Sequence, residues 1–432
     1  MRSLQDGKIN VLIFPAGAEN ALEIYYSLRF NIHLNVFGAS GKPDHAKFIY
    51  PEDHYIEGNY YISDPGFIEN FNQMLKKYSI DVVIPTHDTI ALFMAENRQQ
   101  ISSKIIVSNE YTARICREKS LTYDLFAEQG FCPRIYKQPA DIRDFPVFLK
   151  PNRSEGSKGA SVAHSMEAVV AKLSSAPDLL ICEYLPGQEL TVDCFSNRHR
   201  ELLFVGPRTR ERVQIGISFH SESVVLTEEI KKIADTINER LEFRGAWFFQ
   251  IKKDEESHYK LLEISARQAG TMALYRQLGV NFALLSIFDA MDAEVSILKN
   301  QLDIQLDRCL HNRYHFNYDY EDVYVDLDDT IIVDEKVNDL LMQYLYQAAN
   351  SGKKLHLISK HELDVLETLK KYRIAENLFD EIIPLSLSEE KSDHVIPGRA
   401  IFIDNHYLER KKIADIFRIP VFDVDAIECL IK

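Results

Sequence analysis

The stretch LLICEYLPGQELTVDCF, residues 179–195, decides the fold of the middle of the chain. An apolar run ends in Glu183, Tyr184 and Leu185, Pro186 and Gly187 break it, and a second run follows from Glu189. Proline withholds a backbone donor and glycine tolerates unusual angles, so the pattern reads as strand, hinge, strand. Such a hinge offers backbone donors and acceptors to a flat base, and Glu183 can accept from an exocyclic amine.

Working outward, FPVFLKPNRSEGSKGASV (145–162) sets Lys150 at the end of an apolar strand. The loop after it holds Gly156, Ser157, Lys158 and Gly159. Glycines let backbone N–H groups approach phosphate oxygens, and the lysine supplies a point charge. On the other side, AWFFQIKKDEESHYKLLEISARQAG (246–270) reads as two antiparallel strands joined by a charged turn. They present Gln250 and Glu263 on one face, with Ser265 and Arg267 beyond. Oxygen ligands on neighbouring strands suit Mg²⁺ and its phosphate-bound waters. In GPRTRERVQIGIS, Arg208, Arg210 and Arg212 form a basic cluster able to clamp a carboxylate or an acyl phosphate, although a solvated strand and loop accounts for them equally well.

Near the start, KINVLIFPAGA (8–18) runs from a strand into a turn, and ENALEIYYSLRF (19–30) continues with helical period. NIHLNVFGAS, IDVVIPTHDTIALFMAEN (80–97) and KIIVS (104–108) carry on the alternation, which predicts a doubly wound parallel sheet. A ligand is expected at the strand ends near Phe14 to Ala18 and Pro85 to Asp88. There is no G-x-G-x-x-G, so a dinucleotide is not indicated.

This ordered set resembles the ATP-grasp superfamily, most nearly its carbamoyl-phosphate synthase large-subunit-like and carboxylate-amine ligase members, over residues 8 to 310. The resemblance implies a two-lobed nucleotide site using ATP and Mg²⁺. By position, Lys150 contacts the α/β phosphates and the Gly156 to Gly159 loop closes over them. Glu183 and the Leu185 backbone hold adenine, Glu189 lies near the ribose, and Lys119 is an earlier phosphate contact. Gln250 and Glu263 fall at metal positions, and Arg267 at the arginine that steadies the transferring phosphoryl group. Where the superfamily usually has asparagine, this chain has Ser265, a weaker metal ligand.

Further along, VYVDLDDT delivers Asp326 and Asp328 at the end of a fresh strand, on one side of it. One carboxylate can attack phosphorus while the other handles a proton. The segment resembles the haloacid-dehalogenase-like phosphohydrolases, whose other motifs follow in order at Ser359, Lys391 and Asp404. The resemblance makes Asp326 the nucleophile, Asp328 the acid/base, Ser359 and Lys391 the phosphate holders, and Asp404, with Asp326 and Asp328, part of the Mg²⁺ site. Asn405 stands where a second acid is common. The spacings leave no room for a large cap.

At 432 residues the chain should hold about three domains. The expected fold class is α/β and α+β: a doubly wound domain over 1–115, an ATP-grasp domain over 116–315, and a capless Rossmann-like haloacid-dehalogenase-like domain over 320–432. With 50 Lys and Arg against 65 Asp and Glu, the net charge of -15 argues against nucleic acid. No apolar stretch suits a membrane, MRSLQDGKIN lacks a signal-peptide core, and six scattered cysteines contain no C-x-x-C pair, so a cytoplasmic protein with reduced thiols is expected. The expected partners are a small-molecule carboxylate, an amine or other nucleophile, a phosphate ester, and a second copy in a homodimer. The leading expectation is an ATP-dependent ligase that makes an acyl phosphate, fused to a phosphohydrolase. Its rivals are a nucleotide-binding regulator with an inactive ATP-grasp lobe, and a phosphatase in which only the C-terminal domain is catalytic.

Overall fold

All six residues of β1 (Ile9–Phe14) are buried and five are apolar, which suits a strand covered on both faces. Parallel partners β2 (Leu34–Ala39), β3 (Tyr55–Ile56), β4 (Val82–Pro85) and β5 (Lys104–Ile105) give the order β3-β2-β1-β4-β5. Helix α1 (Glu19–Leu28) covers one face through Ala21, Ile24 and Leu28, while α2 (Phe67–Lys77) and α3 (Asp88–Glu96) cover the other through Phe71, Met74 and Met94. The expected parallel sheet is present, with its strand order reversing between β1 and β4. The computed structural model describes residues 7–154, 158–214, 216–312, 314, 317–396 and 398–431.

Helices α4 (Glu110–Arg117) and α5 (Lys119–Leu125) lead into β6 (Ile135–Tyr136), β7 (Val147–Pro151), β8 (Ser161–Ala163), α6 (Met166–Ser175) and β9 (Leu179–Glu183), a sheet of order β6-β9-β7-β8. Next come β10 (Glu189–Ser196), β11 (Leu202–Thr209), β12 (Glu211–Gln214), β13 (Ile217–Glu222), α7 (Glu228–Arg240), β14 (Gly245–Lys253), β15 (Tyr259–Ser265), α8 (Ala273–Gln277), α9 (Phe282–Ala290) and β16 (Gln305–Asp307). They build an antiparallel sheet β11-β10-β14-β15 and a small sheet β12-β13-β16. At the hinge between β9 and β10, Gly187 N donates to Lys253 O at 3.0 Å, and a Cβ there would lie 2.5 Å from the Lys253 Cβ. Only glycine fits that approach.

Residues Met1–Leu310 form one compact unit. Ala283 and Ile287 of α9 share a core with Ile9 and Val11 of β1, so the first sheet and the later strands are packed together.

The second unit is His311–Lys432. Its strands are β17 (Asp322–Val325), the hairpin β18 (Ile332–Val333) and β19 (Lys336–Val337), then β20 (Lys354–Ser359), β21 (Glu381–Pro384), β22 (Ala400–Ile403) and β23 (Val421–Phe422). The parallel sheet runs β21-β20-β17-β22-β23. Helices α10 (Asp339–Asn350), α11 (Val365–Lys371) and α12 (Tyr407–Phe417) connect them. Leu341 and Leu345 of α10 and Leu369 of α11 fill one face, and Ile413 of α12 the other. Among the described residues, no helix is long and apolar enough to cross a membrane.

Candidate active sites

In the first unit, a cavity of about 480 Å³ lies where β4, β11, β14 and β15 converge. Lys119, Lys158, Arg208, Arg210, Gln250, Glu263, Ser265 and Arg267 all line it. The register explains part of this grouping, because Gln250 of β14 pairs directly with Glu263 of β15, as the sequence indicates. Lys119 Nζ lies 3.6 Å from Glu263 Oε2 and reaches Ser154 at 3.3 and 3.4 Å, so α5 and the loop after β7 meet β15 at one charged point.

Lys150 is buried, donating to the Tyr123 hydroxyl and to Leu262 O at 3.2 Å. Burial, helped by the charge of Lys119, lowers its pKa against the opposing pull of Cys182 and Glu263. Gly156 and Ser157 lie outside the described residues. Gly159 holds a φ of +81° beside Pro151, a backbone angle that favours glycine.

Three expected nucleotide contacts, and one arginine expected at the acceptor, are already engaged or covered. Glu183 Oε1 accepts from Arg134 N at 2.9 Å, within the sheet that joins β6 to β9. Leu185 is buried at the hinge. Glu189 takes Arg210 Nε at 2.6 Å, and the same guanidinium donates to Gly216 O at 3.0 Å. Arg208 is 1% exposed and makes a two-point bond to Asp193, at 2.7 and 3.1 Å. Its Nη1 has no partner. Burial raises the Asp193 pKa, and the guanidinium pulls it back. Arg212 stands apart: it is exposed on β12 and pairs with Asp307. The three arginines therefore do not form one clamp, because the chain leaves β11 at Thr209 and Arg212 lies on β12, in a different sheet.

Asp88 closes the Pro85 to Asp88 segment where the sequence puts a ligand, but its partners were not read there. As the first residue of α3, it accepts from Ser265 Oγ at 2.5 Å and from Arg267 Nε and Nη2 at 2.9 and 2.7 Å. Burial would raise its pKa, but Arg267 and the Ser265 hydroxyl outweigh that and lower it. The signal was its place: it follows a strand end next to the switch point of the first sheet, where ligands are expected. Asn20, just inside α1, ties the same sheet to Gln268 O at 2.9 Å.

The fold that carries these residues has counterparts among known proteins. The family model described as "ATP-grasp in the biosynthetic pathway with Ter operon" matches residues 175–308. Over those residues the chain is similar to an ATP-grasp domain. No curated protein matches the sequence. Among solved structures, the L-amino acid ligase from Bacillus licheniformis is 14% identical, with 67% of this chain and 75% of that chain covered at a TM-score of 0.54. The biotin carboxylase domain of the Hydrogenobacter thermophilus 2-oxoglutarate carboxylase, crystallised with MgADP, ADP and bicarbonate, is 14% identical over 67% and 71% at 0.55. The Aspergillus clavatus carboxyaminoimidazole ribonucleotide synthase, complexed with ATP, is 15% identical over 67% and 78% at 0.53. At such identities the likeness concerns the ATP-grasp fold.

In the second unit, Asp326 follows β17 and Asp404 follows β22, at the point where strand order reverses. Lys391 Nζ lies between them, 2.6 Å from Asp326 Oδ1 and 2.6 Å from Asp404 Oδ2. All three are buried. Burial, reinforced by Asp404, raises the Asp326 pKa to about 6 against the pull of Lys391. Burial alone would lower the Lys391 pKa, but the two carboxylates more than reverse it. Ser359, at the end of β20 beside β17, is buried with no hydrogen-bond partner for its hydroxyl. Thr330 Oγ1 reaches Asp326 Oδ2 at 3.3 Å and accepts from Asn405 N at 3.0 Å. Asp328 is more open and meets His361.

Two buried carboxylates answered by one ammonium leave a negative charge over, which suits a cation that keeps most of its waters and takes one or two carboxylates. Among the described residues, no group of three or more His, Cys, Asp or Glu is arranged to hold a metal ion, so neither site is an all-protein metal cage.

Proposed function

We propose that the chain is a Mg-ATP-dependent ligase whose second unit hydrolyses phosphate esters. The domain limits we assign are 1–115, 116–315 and 320–432. For the ligase, the observation that carries the reading is the convergence of Lys119, Gln250, Glu263 and Arg267 on one cavity. ATP would lie between the β7–β9 sheet and the β10–β15 sheet, with Lys150 and Lys119 towards its phosphates. Gln250 and Glu263 would hold Mg²⁺, which neutralises phosphate charge when bound. The acceptor carboxylate attacks the γ phosphorus, the bond from that phosphorus to the bridging oxygen breaks, and ADP leaves. Arg267 meets the charge that develops on the transferring group. An amine then attacks the acyl carbon, and phosphate departs. The anionic acceptor would meet Arg210 and the unpartnered Nη1 of Arg208, since both arginines line the cavity although each is also held by a carboxylate.

In the second unit, the reading rests on Lys391 held between Asp326 and Asp404, beside the unpartnered hydroxyl of Ser359. Asp326 attacks phosphorus while Asp328 gives its proton to the leaving oxygen. Water then attacks the aspartyl phosphate, losing its proton to Asp328 and freeing Asp326. Ser359 and Lys391 hold the phosphate oxygens, and Asp326 and Asp404 would hold a Mg²⁺ that offsets their charge.

The test of the ligase is ADP release from Mg-ATP in pools of carboxylates with amines. ADP formation that requires a carboxylate supports it; a chain that binds ATP by calorimetry yet releases none with any pool overturns it. That second result would favour a nucleotide-binding regulator, a reading which the engagement of Arg267 and Ser265 by Asp88 also favours.

A further inference from the structure

His361 lies two residues beyond β20, in the segment that leads to α11. Its Nδ1 is 2.9 Å from each oxygen of Asp328, and its Nε2 is 2.7 Å from Oγ1 of Thr368 on α11. A carboxylate only accepts, so Nδ1 carries the ring proton, and Nε2 accepts the proton of the Thr368 hydroxyl. The ring is thus fixed from both sides in one tautomer. Thr368 is buried on a helix whose Leu369 fills the core, which makes the anchor rigid.

Asp328 has the opposite character. Its side chain is 49% exposed, whereas that of His361 is 10% exposed. An exposed carboxylate on two rotatable bonds would spread over several rotamers, and an acid that must meet a leaving oxygen within hydrogen-bond reach cannot work from most of them.

We propose that His361 is the positioning residue of Asp328. Its Nδ1–H faces both carboxyl oxygens and fixes the plane of the group, so that one oxygen keeps this bond while the other carries the proton that goes to the departing ester oxygen. In the second half-reaction the same oxygen takes the proton from water. This inference rests on the phosphohydrolase reading of the second unit. No motif in the sequence announces it, because the contact joins a strand end to the turn before a helix.

The effect should depend on the leaving group. An alkoxide needs a proton as the bond to phosphorus breaks, whereas p-nitrophenolate is stable enough to leave alone. The full chain, His361→Ala, His361→Asn, Thr368→Val and Asp326→Asn are compared with Mg²⁺ on glycerol 2-phosphate and on p-nitrophenyl phosphate. His361→Ala should lower kcat/KM, which reports the step that expels the leaving group, at least about tenfold on the alkyl ester, part of what a general acid contributes, and by less than about threefold on the aryl ester. His361→Asn keeps an N–H near the Nδ1 position and should restore most of the alkyl activity. Thr368→Val, which frees the far side of the ring, should show a smaller loss with the same ester preference.

Equal losses on both esters, no loss on either, or no rescue by asparagine would each overturn the role of His361. An unfolded variant would lose both activities alike, and Thr368→Val then provides the ester comparison in its place. Failure of the underlying reading looks different: the unsubstituted chain would hydrolyse neither ester, or Asp326→Asn would hydrolyse both at the full rate.

Discussion

The chain contains two parallel sheets of the same strand order, β3-β2-β1-β4-β5 and β21-β20-β17-β22-β23, and each places its candidate chemistry where the order reverses. They use that place differently. In the second sheet the strand ends themselves supply Asp326, Ser359 and Asp404, and one lysine from a nearby turn closes the group. In the first sheet the strand ends supply no such cluster, and Asp88 reaches instead to Ser265 and Arg267, on a strand end 177 and 179 residues later. One sheet builds a site alone, while the other contributes to a site built by its successors. Topology fixes where a site can lie, and the residue types at the strand ends decide whether it is self-sufficient.

The largest expected effect breaks that comparison at the self-sufficient site. Asp326→Asn removes the attacking oxygen but leaves Lys391 paired with Asp404, so the unit should remain folded. Phosphate ester hydrolysis should fall by roughly 10⁴-fold or more, as when other enzymes lose a nucleophile. ADP release from ATP should be unchanged. A parallel fall in both activities, measured on one preparation, would show that the two sites do not work independently.

At the assembled site, Arg267→Ala should come next. Arginines that stabilise a transferring phosphoryl group are worth about 10³-fold or more in kcat, and ADP formation should drop on that scale while ester hydrolysis stays constant. Asp88→Asn should be milder. It keeps an oxygen for Arg267 and the shape of the contact, but it loses the charge that holds a largely buried guanidinium. A misplaced catalytic group costs up to about 10²-fold, so we expect a loss of kcat within that bound and a smaller change in the KM for ATP. An equal rise in KM would place Asp88 in nucleotide binding.

The two sites were not equally legible in the sequence. The carboxylate at the end of VYV, the serine at the end of LHLIS and the aspartate at the end of AIFID each end an apolar strand, so the local pattern gives each residue that the resemblance singles out a place at a strand end. The pairing of Gln250 with Glu263 was legible for the same reason, since both lie on one hairpin. Asp88 was not, because nothing near it in sequence shows that its partner is Arg267. The arginines of β11 and β12 fail in another way. Arg208 on β11 and Arg210 just past its end both line the cavity, whereas Arg212 lies on β12 in a different sheet. The ion pair of Arg208 with Asp193 depends on the register of β10 with β11, which residue types do not encode.

The smallest expected effect tests whether Asp88 takes over part of what an asparagine does elsewhere. Ser265 is buried, and its hydroxyl donates to Asp88. In Ser265→Asn the side-chain amide can keep that donation while its carbonyl adds an oxygen towards Glu263 and a bound Mg²⁺. One added oxygen contact is worth about 1 kcal/mol, so the Mg²⁺ concentration for half-maximal ATP turnover should fall about fivefold, with kcat nearly constant. The larger side chain must fit beside Arg267, and strain there would appear as a lower unfolding temperature, not as a changed Mg²⁺ requirement. If the requirement is unmoved in a stable variant, the oxygen missing at Ser265 is already supplied, and Asp88→Asn should then raise it. If both variants leave it unmoved, Asp88 serves Arg267 alone and the metal rests on Gln250, Glu263 and the phosphates.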